Sequence, residues 1–158
     1  MAKATNPVPP NFHTLSPHLI VKDAAKYGDF LVKAFGATDV SANLGPTGKV
    51  MHAQARIGDS MLMFADHMPE FGHPPIAGGF WPMILHVYVP DVDAVWAKAL
   101  AAGCTVKFPI DDQFWGDRYG QVQDPFGFTW SLATHKEELT SEEIQARQAK
   151  AFSGGGAA

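Results

Sequence analysis

One feature constrains this chain more than any other: part of it occurs twice. "HLIVKD" at residues 18–23 is followed by Tyr27, Phe30, Leu31, Ala34 and Phe35 at helical spacing, and then by Gly36. Sixty-eight positions on, "HVYVPD" at 86–91 is followed by Val92, Val95, Trp96, Ala99 and Leu100, and then by Gly103. Each stretch reads as a short strand, an Asp N-cap, an amphipathic helix and a glycine stop. The likeness continues in "HAQARIGD" (52–59) and "YGQVQDPFG" (119–127), which lead into the apolar strands "SMLMFAD" (60–66) and "TWSLATH" (129–135). Self-similarity over a long period marks two copies of one supersecondary unit. Each copy is predicted as βαβββ, so the fold class is α+β: two βαβββ modules whose helices cover one face of their sheets and leave the other free.

This divides the chain into a disordered N-terminal tail (1–13), a first module (14–66), a connection (67–82), a second module (83–136), a C-terminal helix (140–152) and a flexible tail (153–158). The helix opens on Thr140 with Glu143 three residues later, a capping-box pattern. The connection, "HMPEFGHPPIAGGFWP", has two readings. It is either a linker whose prolines forbid helix, or a lid that brings Phe71, Phe80 and Trp81 over a pocket.

Composition removes several function classes. With 158 residues, 46% of them hydrophobic, the chain can fill one domain or two small halves without staples. A net charge of −4 with no Lys/Arg cluster gives no footprint for nucleic acid or an anionic membrane surface. No run approaches the ~18 apolar residues of a membrane span, and the opening "MAKATNPVPP" has no apolar core of a signal peptide. Cys104 is the sole cysteine, so an internal disulfide and multi-cysteine zinc sites are excluded, and the expected location is cytoplasmic. It follows the Gly103 helix stop with no basic neighbour, which predicts a structural thiol. No G-x-S-x-G, P-loop or dinucleotide fingerprint occurs.

"TLSPHLIVKDAAK" (14–26), "GKVMHAQARIGDSMLMFAD" (48–66) and above all "DDQFWGDRYGQVQDPFGFTWSLATH" (111–135) resemble the glyoxalase/bleomycin-resistance superfamily, also called vicinal oxygen chelate proteins, in its PhnB-like branch. The likeness runs from about residue 14 to 145. It implies sheets that curl into a cleft, commonly in a homodimer, and a cleft holding either a divalent metal with substrate or a small ligand alone. Metal-using relatives place ligands on the first and last strand of each module. Those places fall on Ser16, Ile84 and Ser131, with Leu62 as the repeat partner of Ser131. None is a histidine or carboxylate, so the resemblance implies no metal at the usual site and no cofactor. A displaced divalent-metal set of His18, Asp66 and His86, with or without His135, is the alternative; the plain reading makes His18 and His86 hydrogen-bonding wall residues.

The loop "DQFWGDRYGQ" (112–121) adds Trp115 and Arg118. Tryptophan offers a rigid face to a planar ligand, and arginine a fork for an anionic oxygen. Alternatively Asp117 pairs with Arg118 or Arg56, and Trp115 only covers a helix. Two functions stay open. The first is a resistance or sequestration protein whose wall of Phe64, Phe80, Trp81, Tyr88, Trp115, Arg118 and Trp130 holds a planar or hydrophobic ligand, anionic ones included. The second is a lyase, isomerase or dioxygenase with the displaced metal, or with His18 or His86 as general base and Arg118 stabilising an oxyanion. The absent ligands favour the first, with a small molecule and a second copy of the chain as partners.

Overall fold

A computed structural model describes residues 6–73 and 83–153. It comprises two compact units, Met1–Gly78 and Gly79–Ala158. Phe80 and Trp81 therefore lie outside the described residues, as do the outermost parts of both tails. What is described of the connection includes a single 3₁₀ turn, Pro69–Phe71, with Phe71 exposed.

In the first unit β1 (His18–Val21), α1 (Ala24–Phe35), β2 (Thr38–Leu44), β3 (Val50–Ile57) and β4 (Ser60–Asp66) form a sheet of order β1-β4-β3-β2. The second repeats it with β5 (Ile84–Tyr88), α2 (Val92–Ala101), β6 (Thr105–Asp112), β7 (Asp117–Gln123) and β8 (Thr129–His135), in the order β5-β8-β7-β6. The first strand of each module runs parallel to its last, and the remaining pairs are antiparallel. This is the mixed-sheet α+β arrangement expected from the repeat. α3 (Ser141–Ser153) follows, with Glu143 N donating to Thr140 Oγ1 at 3.2 Å and Thr140 N to Glu143 Oε2 at 2.8 Å, the reciprocal bonds of a capping box.

The caps work as their residue types predict. Asp23 accepts from Lys26 N at 3.1 Å and Asp91 from Ala94 N at 3.0 Å. Gly36 ends α1 in the left-handed region at φ 65°. A further bond ties each helix to its sheet: Ala24 N donates to Asp66 Oδ1 at 2.8 Å, and Val92 N to Thr134 Oγ1 at 2.9 Å. Both acceptors stand at the end of the module's last strand, at repeat-related places.

These bonds put even-numbered residues of β4 and β8 on the helix side. There Tyr27 meets Phe64 edge-on, with ring centroids 5.5 Å apart, over buried Ala53 and Ala55. Beneath α2 lie Val122, Trp130 and Leu132, all buried. Trp96 of α2 packs so closely on β7 that a Cβ on Gly120 would stand 2.6 Å from its ring and 2.9 Å from Ile110 Cα.

The register corrects one sequence assignment. Across the first sheet Met63 is aligned with His18 and Gln54; across the second Ser131 is aligned with His86 and Gln121. The repeat partner of Ser131 is therefore Met63, not Leu62. The turn after β3 is Gly58-Asp59, while in the second module Asp124 pairs with Phe128, which puts Gly127 last in its turn and Gly58 first. Matching the two glycines slips the strands by one residue, which in a strand reverses the face.

Gly120→Ala is expected to lower stability by about 1–3 kcal/mol, because the methyl meets a ring and a backbone carbon that cannot both retreat. Urea unfolding measures it, and an unchanged midpoint would show that Trp96 is not held on β7.

Candidate functional site

Among the described residues, the open face of the second sheet carries a connected set of polar and aromatic side chains. On β7 the alternation places Asp117, Tyr119, Gln121 and Gln123 on this face, and Arg118, Gly120 and Val122 on the other. β5 adds Ile84, His86 and Tyr88, and β8 adds Ser131, Ala133 and His135. Phe108 of β6, aligned with Gln121, completes the row.

Asp117 is 4% exposed and lies at the centre. Its Oδ2 accepts from the Tyr88 hydroxyl at 3.0 Å and from the Trp115 indole Nε1 at 3.1 Å. Its Oδ1 accepts from His135 Nδ1 at 2.7 Å, and since a carboxylate oxygen only accepts, that nitrogen carries the proton. A buried carboxylate is tolerable when its lone pairs are used in this way. The hydrogen bond from His135, aided by Glu138 at 3.4 Å, raises the imidazole above its ordinary pKa. Burial, and then the Asp117 bond, raises the Tyr88 phenol.

His86 stands one step further along β5. Its Nδ1 shares a 2.7 Å hydrogen bond with Ser131 Oγ, and its ring lies 4.5 Å from Tyr88 and 6.0 Å from Tyr119 between centroids. Burial lowers its pKa against the opposing pull of Asp117, which favours the neutral imidazole. Tyr119 continues the aromatic run to Trp115 at 5.4 Å and Phe108 at 6.1 Å, and its hydroxyl accepts from Gln121 Nε2. Tyr88, Ile84 and Phe108 are exposed at 61%, 51% and 44%, so the panel is open to solvent in the chain.

Of the residues singled out in the sequence, Tyr88, Trp115, His86 and His135 come together here. Three others do not. Arg118 points to the helix side, where Nε and Nη2 hold Asp93 at 2.7 and 2.8 Å and Nη1 reaches Asp112 at 3.3 Å. It ties α2 to β7 and does not face the panel. Trp130 is buried on the same helix side and donates to Asp124 Oδ2 at 2.9 Å, while Phe64 is buried under α1. Asp117 pairs with neither Arg118 nor Arg56; Arg56 is bound to Asp39 at 2.6 Å.

Of the displaced metal set, His18 and Asp66 do not come together in the first unit. Asp66 is on the helix side with both oxygens accepting, from Ala24 N and from Val50 N, whereas His18 lies on the opposite face beside His52 at 6.0 Å. Among the described residues no three His, Cys, Asp or Glu side chains gather to hold a metal ion. Burial beside Asp124 pushes the Cys104 thiol up to about 12, so it is no nucleophile at neutral pH.

A model of the Glyoxalase/Bleomycin resistance protein/Dioxygenase superfamily matches residues 12–132. The chain belongs to this superfamily. An uncharacterised protein of Mycobacterium tuberculosis is 46% identical over 136 residues, covering 84% of this chain and 80% of its own. Among solved structures, TioX from Micromonospora is 28% identical with a TM-score of 0.63, over 78% of this chain and 98% of its own. TnmS3 from Streptomyces, described as an antibiotic binding protein, is 26% identical with a TM-score of 0.58, over 78% and 96%. A PhnB protein from Bacillus cereus shares the fold at 19% identity and a TM-score of 0.59, over 77% and 99%. Among the described residues no helix is long and apolar enough to cross a membrane.

The His135–Asp117 pair sets a pH dependence. Because the folded-state pKa is raised, the stabilisation is fully present below the histidine's unfolded value and is lost as pH rises through the folded one. Unfolding midpoints followed from pH 5 to 9 should fall more in the native chain than in His135→Gln, and equal slopes would refute the linkage.

Proposed function

We propose that the chain is a metal-free, cytoplasmic, homodimeric binding protein of the resistance or sequestration type, and that the open face of β5, β7 and β8 holds a planar, largely apolar small molecule. The observation that carries this reading is the panel of exposed Tyr88 and Phe108 with half-buried Tyr119 and Trp115, beside the His86–Ser131 and Gln121–Tyr119 hydrogen bonds. Offset and edge-on aromatic contacts contribute about 0.5–1.5 kcal/mol each beyond the area they bury. With Arg118 committed to Asp93 and Asp112, affinity comes from stacking and hydrogen bonding, not from an anion clamp. The likeness to TnmS3 supports the reading. So does the exposed apolar surface, which a second copy would cover.

One observation favours a second reading. A neutral His86 hydrogen-bonded to Ser131 is suited to act as a general base, as a lyase or isomerase of this superfamily would need.

The test combines metal analysis, mass in solution and titration with a planar polycyclic probe such as an anthraquinone. The expected result is a dimer without stoichiometric metal, whose probe affinity falls roughly tenfold or more in Trp115→Ala. About one transition-metal ion per chain, lost in His18→Ala or His86→Ala, would overturn the metal-free reading. A probe chemically altered at a rate that falls in His86→Gln would replace sequestration by catalysis.

A further inference from the structure

We infer that Asp117 is the positioning residue of this face, the buried group that fixes Trp115 and Tyr88 in one rigid aromatic corner. The inference rests on the reading of the face as a ligand site, and it goes beyond that reading by assigning a role to a residue that touches no ligand. Trp115 comes from the turn before β7, and Tyr88 from the far end of β5. These two segments are not neighbours in the sheet, since β8 lies between β5 and β7. Both side chains nevertheless donate to the same oxygen, Asp117 Oδ2, at 3.0 and 3.1 Å. His135 occupies the other oxygen at 2.7 Å, so the carboxylate cannot rotate without breaking bonds to three elements.

Three donors converging on one acceptor group 4% exposed is costly unless all are satisfied, and only a carboxylate satisfies them. An amide of the same shape has one accepting oxygen and no charge, so its bonds to the indole and the phenol are weaker, and its NH₂ is accommodated only if His135 takes its other tautomer. Tyr88 itself is 61% exposed, and besides the His86 ring at 4.5 Å it is this bond that restrains it. Preorganising exposed aromatic rings reduces the entropy lost when a ligand stacks on them. Asp93 serves as the control: it is a carboxylate of the same module, bonded to Arg118 on the helix side, away from the panel.

The test follows the Trp115 indole N–H by ¹⁵N NMR, assigned by its disappearance in Trp115→Phe, alongside the affinity of the anthraquinone probe. In Asp117→Asn the indole resonance should move and exchange faster with water, and the dissociation constant should rise by roughly tenfold or more, as expected for loss of hydrogen bonds to a charged acceptor. Asp93→Asn should change neither. If Asp117→Asn does not fold, Tyr88→Phe removes one donor at an exposed position, and the indole resonance should still shift because the two donors share an oxygen. An indole resonance unchanged in Asp117→Asn or Tyr88→Phe overturns the positioning role. A probe that fails to bind the native chain overturns the ligand reading instead, and the indole resonance then still decides whether Asp117 holds Trp115.

Discussion

In each module the first N–H of the helix is taken by a side chain at the end of the last strand, Ala24 by Asp66 and Val92 by Thr134. An α-helix leaves its first N–H groups without intrahelical partners, so a sheet residue placed to accept one both satisfies the donor and anchors the helix. Once it is anchored, strand geometry decides the rest. Every second residue of β4 and β8 is covered by the helix, and those between face the other way. Phe64 and Trp130 become core, whereas Ser131 and His135 lie on the other face, where His135 is exposed and Ser131, itself buried, holds His86. Each module has one helix and two sheet faces, so an uncovered face is a necessary product of the architecture.

The two uncovered faces have diverged. The first carries the aligned row His18, Met63, Gln54 and Ser41, and the second carries His86, Ser131, Gln121 and Phe108. Where the second module has Asp117 and His135, the repeat sets Val50 and His67. His67 Nε2 is buried and finds no hydrogen-bond partner among the described residues. His18 is held neutral more readily than an ordinary histidine, by burial and then by its neighbours His52 and His73. The scaffold is common to both copies, but among the described residues the carboxylate that gathers aromatic side chains on the open face occurs in the second alone. Chemistry on this fold follows particular substitutions on an open face, which is why superfamily membership does not name a reaction.

Much of the architecture was legible because it rests on local rules: Asp caps, glycine stops, the capping box at Thr140, and strands 60–66 and 129–135 ending where the apolar pattern ends. Facing was harder to read. A strand's period of two makes it depend on a count of residues through the turns, and the turn at Asp124–Gly127 is longer than that at Gly58-Asp59. Matching Gly58, first in its turn, with Gly127, last in its own, displaced the partner of Ser131 by one residue, from Met63 to Leu62. Asp117 was missed for a different reason: next to Arg118 in sequence it looks like half of an ion pair. Its strand held the contrary signal. Arg118 alternates in step with Gly120 and Val122, the side a helix covers, and Asp117 in step with Tyr119 and Gln121.

The loop that carries Trp115 also explains the chain beyond the duplicated modules. Gly116 holds φ 96°, and a Cβ there would stand 2.6 Å from the Glu137 carbonyl oxygen. Its own carbonyl accepts from Lys136 N at 2.9 Å and Glu137 N at 3.0 Å, so the turn is pinned to the segment leaving β8. Glu137 in turn holds Arg147 of α3 at 2.7 Å, and Phe152 near the end of α3 meets Phe114 at 5.9 Å, with Phe114 edge-on to Trp115 at 4.9 Å. A turn before an edge-proximal strand would otherwise be among the less restrained parts of such a sheet. The extension after His135 thus holds the turn from behind while Asp117 holds the indole from below. Together they keep Trp115 beside Tyr119, where a ligand on the open face would meet it.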